Sequence, residues 1–444
     1  MDTIGLIPSF GGFLYTVAAF VIALLIIVAI HEFGHYIVGR WSGIHAEVFS
    51  LGFGPVIWSR MDKRGTRWQL AALPFGGFVK FLGDSNAASG KDEGALHAMA
   101  EGERRRSMHG APLWARAATV AAGPVFNFIL SIIVFAAIIG VRGLASDPLT
   151  IAELRPVPVE QGLQVGDEVL AIAGIDTPEL AEFDSFIDKL PSEAVLDYTV
   201  NRNGAVLTVP GPHPYPPIIS SLTPGSAAMD IDLRVGDVIE SVDGTSVATF
   251  AQLRDIVGAS DGKPMLLKVW RDGTVMDFTL APRRMDLPDA DGGFETRWLI
   301  GISGGMVFVP MTESPGILTS VGYGAEQTWF IMKSSISGLT HVISGAISSC
   351  NIRGPIGIAQ TSGEIASQGL TSFIWFIAVL STAVGLLNLF PVPVLDGGHL
   401  VFHAYEAVVG KPPSDGALRV LMTIGFALLL TMMGFALMND LTCP

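Results

Sequence analysis

The sequence predicts an α-helical membrane protein with four transmembrane helices, into which a β-hairpin and two copies of a small domain are inserted. Half of the 444 residues are apolar and only 15% are charged, which is too apolar for an ordinary soluble protein. Four long stretches lack charged side chains, and one short motif recurs 70 positions downstream. These observations indicate several membrane spans and a duplicated domain.

The four uncharged stretches predict the spans. They lie between Asp2 and Glu32, between Arg116 and Arg142, between Glu364 and Asp396, and from Val420 to Asn439. Each has about the 20 residues or more that a helix needs to cross a bilayer. No basic segment precedes the first stretch and no small-residue cleavage site ends it, so we expect it to stay in the mature protein.

Basic residues in two loops predict the orientation. They are Arg40, Arg60, Lys63, Arg64, Arg67, Lys80, Lys91 and Arg104 to Arg106 after the first span, and Lys411 and Arg419 between the last two. Because Lys and Arg are enriched in cytoplasmic loops, we expect both termini and the central region to lie on the opposite side of the membrane, in the periplasm or at the cell exterior. The site described below would then lie near the cytoplasmic side.

Charge and cysteine content exclude some partners. The net charge of −14 has no basic stripe to offset it, so no nucleic-acid partner is expected. Membrane lipids surround the spans, and nothing predicts more than a monomer. Because Cys350 and Cys443 are the only cysteines, we expect neither a disulfide framework nor a cysteine metal site.

The loop after the first span predicts a β-hairpin. An apolar run from Val48 to Trp58 is followed, after a short turn, by a second run that contains Trp68, Leu70 and Leu73. Glycines within the run permit close backbone approach. The candidate edge for pairing with an extended peptide consists of Ser50, Leu51, Gly52, Phe53 and Gly54.

The central region contains an internal repeat. Leu163, Val165, Gly166, Asp167 and Gly174 recur as Leu233, Val235, Gly236, Asp237 and Gly244. Each copy continues with a helix-like stretch and two β-rich runs joined by Asn203-Gly204 or Asp272-Gly273, which predict hairpin turns. The predicted domains are 1–142, 143–215, 216–285, a linker with an interfacial helix in 286–370, and 371–444.

The end of the first span carries the residues that predict chemistry. His31 and His35 are four positions apart, so both imidazoles lie on one helix face and can share one metal ion. Neutral imidazole suits Zn²⁺, and Glu32 would stand beside the open coordination position as the general base. A chance match is the alternative, but ionisable residues at membrane depth are costly and face a cavity or protein interior.

A third ligand must come from elsewhere in the chain. Asp396 ends an uncharged stretch in which Pro391 and Pro393 break regular helix, which is tolerable at this depth only beside a cavity. The alternative is that Asp396 marks an interfacial helix terminus. Asn388 could hold the substrate backbone or stabilise the oxyanion, or make a plain hydrogen bond between helices.

The chain resembles the site-2 protease family of intramembrane metalloproteases. The resemblance rests on the His31 to His35 motif, on Gly123-Pro124 with Asn127 and Phe128, on the paired central domains, and on the segment from Asn388 to Gly397. It implies that His31, His35 and Asp396 hold one Zn²⁺ per chain, that Glu32 is catalytic, and that Asn388 handles substrate. It also implies that the central copies are PDZ domains and that the hairpin is a membrane-associated β-loop presenting substrate.

The resemblance further implies that the substrate is a transmembrane protein, in this family usually an anti-sigma factor already trimmed outside the membrane. The PDZ-like pair could bind a chain end, exclude large substrates, or serve as a folded spacer. Two other functions remain open: a membrane scaffold in which the His cluster is vestigial, and a transporter with a buried His and Asp pathway. A Ser or Cys protease is not expected.

Overall fold

The helices include four that could cross a membrane. The computed structural model describes residues 10–84, 94, 99–178, 182–288 and 293–443. Its helices are α1 (Phe10–Trp41), α2 (Glu101–Arg104), α3 (Leu113–Arg142), α4 (Phe183–Ile187), α5 (Phe250–Gly258), α6 (Ile317–Ser344), α7 (Pro355–Ser367), α8 (Leu370–Asn388), α9 (Asp396–Val409) and α10 (Asp415–Thr442). Over these residues α1, α3, α8 and α10 are the helices long and apolar enough to span a bilayer, which confirms the prediction of four spans.

The strands form small antiparallel sheets. They are β1 (Ala46–Met61), β2 (Arg67–Phe81), β3 (Leu144–Ala145), β4 (Ile151–Leu154), β5 (Glu168–Ile172), β6 (Ile175–Asp176), β7 (Val195–Arg202), β8 (Ala205–Pro212), β9 (Ser221–Leu222), β10 (Val238–Val242), β11 (Thr245–Ser246), β12 (Met265–Arg271), β13 (Thr274–Leu280), β14 (Arg283–Pro288), β15 (Phe294–Leu299), β16 (Ile302–Ser303), β17 (Phe308–Pro310) and β18 (Thr312–Glu313). The largest sheets have four strands and lie in the duplicated region.

The chain forms two compact units. The helical unit comprises Met1–Ile138, Leu318–Thr340 and Ser349–Pro444. The duplicated unit comprises Ile139–Ile317 and His341–Ser348.

Glycines let the membrane helices approach closely. A Cβ at Gly34 of α1 would lie 2.5 Å from the carbonyl oxygen of Ala122 in α3. A Cβ at Gly385 of α8 would lie 3.0–3.1 Å from atoms of α3, among them the Cβ of Asn127. Lipid gives no hydrophobic drive for helix association, so small residues that allow backbone contact are what hold such helices together. These contacts bring α1, α3 and α8 together.

The helix break after α8 falls where the prolines predict it. The helix α8 ends at Asn388, and α9 begins at Asp396, so the residues between them leave helical geometry. A Cβ at Gly397 or Gly398 would lie 2.2–2.3 Å from a backbone carbonyl oxygen of this connection. The first turn of α9 therefore packs directly against the broken segment, and only glycine fits at these two positions.

The β1–β2 sheet differs from a simple hairpin. Residues 48–51 of β1 pair with residues 77–80 on one side and with residues 67–70 on the other. After a bend, residues 56–61 of β1 pair with the other side of residues 67–71. Gly52 and Gly54, both with φ near +85°, lie at this bend. Ser50 and Leu51 are thus enclosed and cannot form the open edge that the sequence suggested. The outer strand beside them is residues 77–81, which has no further strand partner in the described part of the chain.

The C-terminal end of α10 is tied to the segment before α7. Cys350 and Cys443 form a disulfide, although the sequence predicted no disulfide framework from two cysteines 93 positions apart. The Asp440 carboxylate accepts hydrogen bonds from the backbone N–H groups of Gly354 and Ile356 at 2.7 and 3.0 Å. Asn439 donates to the carbonyl oxygens of Ser349 and Ile352 in the same segment.

The two central copies have the same sheet. Strand order is β6-β5-β7-β8 in the first copy and β11-β10-β12-β13 in the second. The dipeptides Asn203-Gly204 and Asp272-Gly273 have positive φ at both residues and join β7 to β8 and β12 to β13, which confirms the predicted hairpin turns. Each copy has its own core, with Tyr198 fully buried in the first and Leu267 in the second.

The repeated Asp forms the same buried ion pair in each copy. Asp167 accepts two hydrogen bonds from Arg202 at 2.7 Å, and Asp237 accepts two from Arg271 at 2.6 and 2.7 Å. Both carboxylates are buried, and the bidentate Arg fork satisfies them. The hydrogen bonds from Arg202 lower the pKa of Asp167, which keeps this carboxylate ionised and paired.

The chain returns to both copies after the second one ends. Strand β16 pairs with β9 of the second copy, and β17 pairs with β4 of the first. Phe308 of β17 is buried in the core of the first copy. The predicted linker from residue 286 therefore supplies a strand to each copy, and the second copy is nested in the first. Strands of two to four residues that pair across 80 or more positions leave no local sequence pattern.

Candidate metal centre

Two imidazoles and one carboxylate meet at the end of α1. The Nε2 atoms of His31 and His35 are 3.2 Å apart, and Asp396 Oδ2 lies 3.2 Å from the first and 3.5 Å from the second. Zinc bonds of about 2.0–2.1 Å in a tetrahedron separate ligand atoms by roughly 3.3 Å. Asp396 Oδ2 is also buried without a hydrogen-bond donor. These three groups could hold one metal ion and leave a fourth position open.

The remaining ring nitrogens of both histidines have partners in α3. His35 Nδ1 lies 2.8 Å from the Thr119 carbonyl oxygen, which can only accept. His35 therefore carries its proton on Nδ1 and presents Nε2 unprotonated to a metal. His31 Nδ1 lies 3.2 Å from the side-chain amide of Asn127.

Gly123 of α3 provides the space in which both imidazoles stand. A Cβ at this position would lie 2.3 Å from His35 Nε2 and 2.8 Å from His31 Cε1. Any larger residue would collide with the ligand nitrogen itself. The imidazole pair is thus packed against bare backbone of α3.

Glu32 faces the outer strand of the β1–β2 sheet. The Glu32 side chain lies near the backbone of Val79. A Cβ at Gly77 would lie 3.1 Å from Glu32 Cγ. Strand residues 77–79 therefore lie directly beside the glutamate.

A cavity of about 300 Å³ joins these groups. Its lining includes His31, Glu32, His35 and Asp396, strand residues Gly77, Phe78 and Val79, and the more distant polar residues His109, Arg116, His399 and His403. Burial lowers the pKa of His403 to about 4 and also lowers that of His399, so both rings are neutral at pH 7. Arg116 is paired with Glu406 at 2.6 Å.

The other predicted site residues lie elsewhere. Asn388 donates a 3.0 Å hydrogen bond to the Val384 carbonyl oxygen of its own helix and is not among the cavity-lining residues. Ser50 is buried and donates to the Gly52 carbonyl oxygen. Phe53 stacks on Phe78 at 6.0 Å. The substrate-handling role predicted for Asn388 remains a prediction, whereas Ser50 is enclosed between two strands and does not form the predicted edge.

Sequence reasoning did not assign roles to Thr119, Gly123, Asn127 or residues 77–79. Asn127 carried a signal, because a lone amide in an uncharged span needs a partner. Gly123 also carried a signal, because it belongs to the Gly123-Pro124 pair on which the family resemblance partly rests. The Thr119 carbonyl carried none, since every residue of a helix has a carbonyl oxygen.

Membrane helices that bring two histidines, an aspartate and a glutamate to one cavity define a class: membrane-embedded metallopeptidases. The sequence model of Peptidase family M50 matches residues 19–432, and the chain belongs to this family. It is a site-2 type zinc metalloendopeptidase and a multi-pass membrane protein, as the resemblance predicted.

Relatives match over nearly the whole chain. A Rhizobium meliloti (strain 1021) protein named "Putative zinc metalloprotease R01501" is 36% identical, with 96% of each chain covered. The "Regulator of sigma E protease" of Salmonella typhimurium (strain LT2) is 33% identical, with 96% of this chain and 98% of the relative covered. The "Regulator of sigma-E protease RseP" of Escherichia coli (strain K12) is 32% identical with the same coverage.

The Gly123 contact gives a first prediction. Gly123→Ala should weaken zinc binding roughly tenfold or more, because the new methyl group must displace both imidazoles. Gly434→Ala in α10 is the matched control, since a Cβ there meets nothing within 4 Å. Zinc affinity is measured by competition with a chelator on both purified variants. Equal affinity in the two variants would contradict the contact.

Proposed function

We propose that His31, His35 and Asp396 hold the zinc and that Glu32 is the general base of peptide hydrolysis. The observation that carries this assignment is the triangle formed by His31 Nε2, His35 Nε2 and Asp396 Oδ2, with sides of 3.2, 3.2 and 3.5 Å. Among the described residues Asp396 Oδ2 has no hydrogen-bond donor. The sides of the triangle match tetrahedral zinc, and a buried carboxylate oxygen without a donor needs a cation.

Each protein group has a separate task in the reaction. His31, His35 and Asp396 would hold a zinc ion that, when bound, would polarise the scissile carbonyl and lower the pKa of a water molecule. Glu32 takes a proton from water and later delivers it to the leaving nitrogen. Strand residues 77–79 lie beside Glu32, so a substrate paired with them would lie next to this carboxylate. Thr119 fixes the tautomer of His35.

We propose that the substrates are transmembrane segments of membrane proteins, and among them an anti-sigma factor. The ligand residues of α1 belong to a span, which favours a substrate that itself lies in the membrane. Two relatives are named as regulators of sigma E, which supports a role in stress signalling across the bacterial inner membrane.

Two features of the helical unit support an orientation in which the C-terminus is periplasmic and the site is near the cytoplasm. Basic loops predict that the start of α10 is cytoplasmic. The Cys350–Cys443 disulfide at its other end belongs in an oxidising compartment, which supports a periplasmic C-terminus. Since α1 also begins on that side, His31 and His35 lie towards the cytoplasmic face.

We propose strand residues 77–79 as the edge that presents substrate, in place of the enclosed Ser50 and Leu51. A helical substrate must unwind before hydrolysis, because its carbonyl groups are shielded by their own turns. An open strand edge supplies backbone partners that lipid lacks. Residues 77–79 have this edge and lie beside Glu32 in the cavity.

We propose that the two central copies are PDZ-like domains that act as a size filter. Their shared sheet order and the matched Asp–Arg pairs support one duplicated binding-type domain. No proposed zinc ligand lies within them. Substrates with large periplasmic parts would be excluded until an earlier cleavage removes those parts.

Glu32→Gln should lower turnover by about 10²–10⁴-fold while zinc remains bound, because the substitution removes the base and keeps the ligands. Glu47→Gln, a surface glutamate paired with Lys80, is the matched control and should retain full activity. Cleavage of a transmembrane substrate and zinc content are measured together. Near wild-type cleavage by Glu32→Gln would show that the base is another group.

The presenting edge is tested by disulfide cross-linking in the inactive Glu32→Gln background. Phe78→Cys on the proposed edge should cross-link to a substrate cysteine near the scissile bond. Trp58→Cys should not, because it lies in residues 56–61, the opposite outer strand. Cross-linking of Trp58→Cys without cross-linking of Phe78→Cys would show that substrate binds at residues 56–61 and not at residues 77–79.

The filter is tested by removing residues 144–313. Leu144 pairs with Glu313, so the two ends lie side by side and can be rejoined by a short turn. A shorter deletion would leave β16 and β17 without their partners. The shortened enzyme should keep its zinc and cut untrimmed substrates that the full chain refuses. Continued refusal would contradict the filter.

A further inference from the structure

Asn127 is a buried polar residue whose hydrogen bonding is incomplete as placed. It lies inside the membrane span α3 with no exposed surface. Its Nδ2 atom is 3.2 Å from His31 Nδ1, while its Oδ1 atom has no hydrogen-bond partner among the residues that the structure describes. An amide in a span is expected to have a partner that repays its burial.

The zinc ligation proposed for His31 decides how this amide must point. If Nε2 of a neutral imidazole binds the metal, Nδ1 carries the proton and can only donate. The amide nitrogen of Asn127 is also a donor, so two donors would face each other. Amide nitrogen and oxygen are interchanged by a rotation that hardly alters the shape of the side chain. With Oδ1 turned towards His31, the contact becomes a normal N–H···O hydrogen bond.

The backbone of Asn127 is held in place by hydroxyl groups from two helices. Ser131 and Ser381 donate to the Asn127 carbonyl oxygen at 3.0 and 2.9 Å. Ser131 also lies 2.8 Å from the Ala378 carbonyl oxygen in α8. These contacts fix the height of Asn127 along α3 opposite α8. They give the amide a rigid support, which a residue that orients a metal ligand requires.

We propose that Asn127 is a positioning residue for the zinc site: its amide oxygen accepts the Nδ1 proton of His31 and fixes the tautomer and ring orientation of that ligand. This inference rests on the ligand set proposed above. It gives His31 the counterpart of the Thr119 carbonyl that already orients His35. Both histidines, four residues apart in α1, would then be oriented by groups of α3 that are eight residues apart, at Thr119 and Asn127.

The test compares zinc affinity in three variants of the full-length protein by chelator competition. Asn127→Leu keeps the size but removes the acceptor, and should bind zinc 10–100-fold more weakly. Asn127→Asp keeps an acceptor and should bind zinc at least as tightly as wild type. Thr328→Val, which removes another buried side-chain hydrogen bond from a helix of the same unit, should leave zinc affinity unchanged.

Zinc affinity equal to wild type in Asn127→Leu would overturn the proposal, as would equal weakening in Asn127→Leu and Asn127→Asp. His31→Ala is measured in parallel: if it keeps its zinc, the ligand set itself is wrong, and that failure is distinct. Should Asn127→Leu not fold, magnetic resonance on zinc-loaded wild type labelled at His and Asn decides. A coupling across the hydrogen bond should connect His31 Nδ1–H with Asn127 Cγ, the carbon that carries Oδ1. Short distances from the His31 Nδ1 proton to the Asn127 amide protons would refute the orientation.

Discussion

The structure depends on one electrostatic constraint: a carboxylate oxygen and two imidazole nitrogens lie within 3.5 Å of one another next to membrane-spanning helices. Asp396 Oδ2 is within 3.5 Å of both His31 and His35 Nε2 and has no other partner in the described part of the chain. Ionisable groups at membrane depth are costly unless they are paired or bind a cation. The cluster is stable only as a unit, so the helices that carry it cannot move apart.

Close helix packing is the consequence. Gly34 and Gly123 bring α1 and α3 into backbone contact, and the imidazoles stand where Gly123 lacks a side chain. The prolines before Asp396 end α8 and let α9 begin with the ligand in its first turn. Asp396 is therefore the first residue of a helix and also a member of the cluster, and its role as a zinc ligand is our proposal. The two imidazoles beside Asp396 Oδ2 are the groups that offset the cost of burying this carboxylate.

The duplicated unit satisfies different requirements. Each copy buries an aspartate, and an Arg fork from the following hairpin neutralises it in the same way in both. Nesting makes the first copy depend on β17, which comes after the second copy is complete. The two copies therefore form one structural unit, and neither can be removed cleanly alone.

The sequence by itself determined the four spans, the hairpin turns of the repeat, the zinc chemistry and the family, because uncharged runs, Asn-Gly turns and the spacing of His31 and His35 are local patterns. Only the tertiary structure decided that Ser50 and Leu51 are enclosed while residues 77–79 form the open edge, that β16 and β17 complete the copies, and that Cys350 meets Cys443. These features depend on how distant segments meet, and contacts across a bend or across 80 or more residues leave no periodic pattern in the chain.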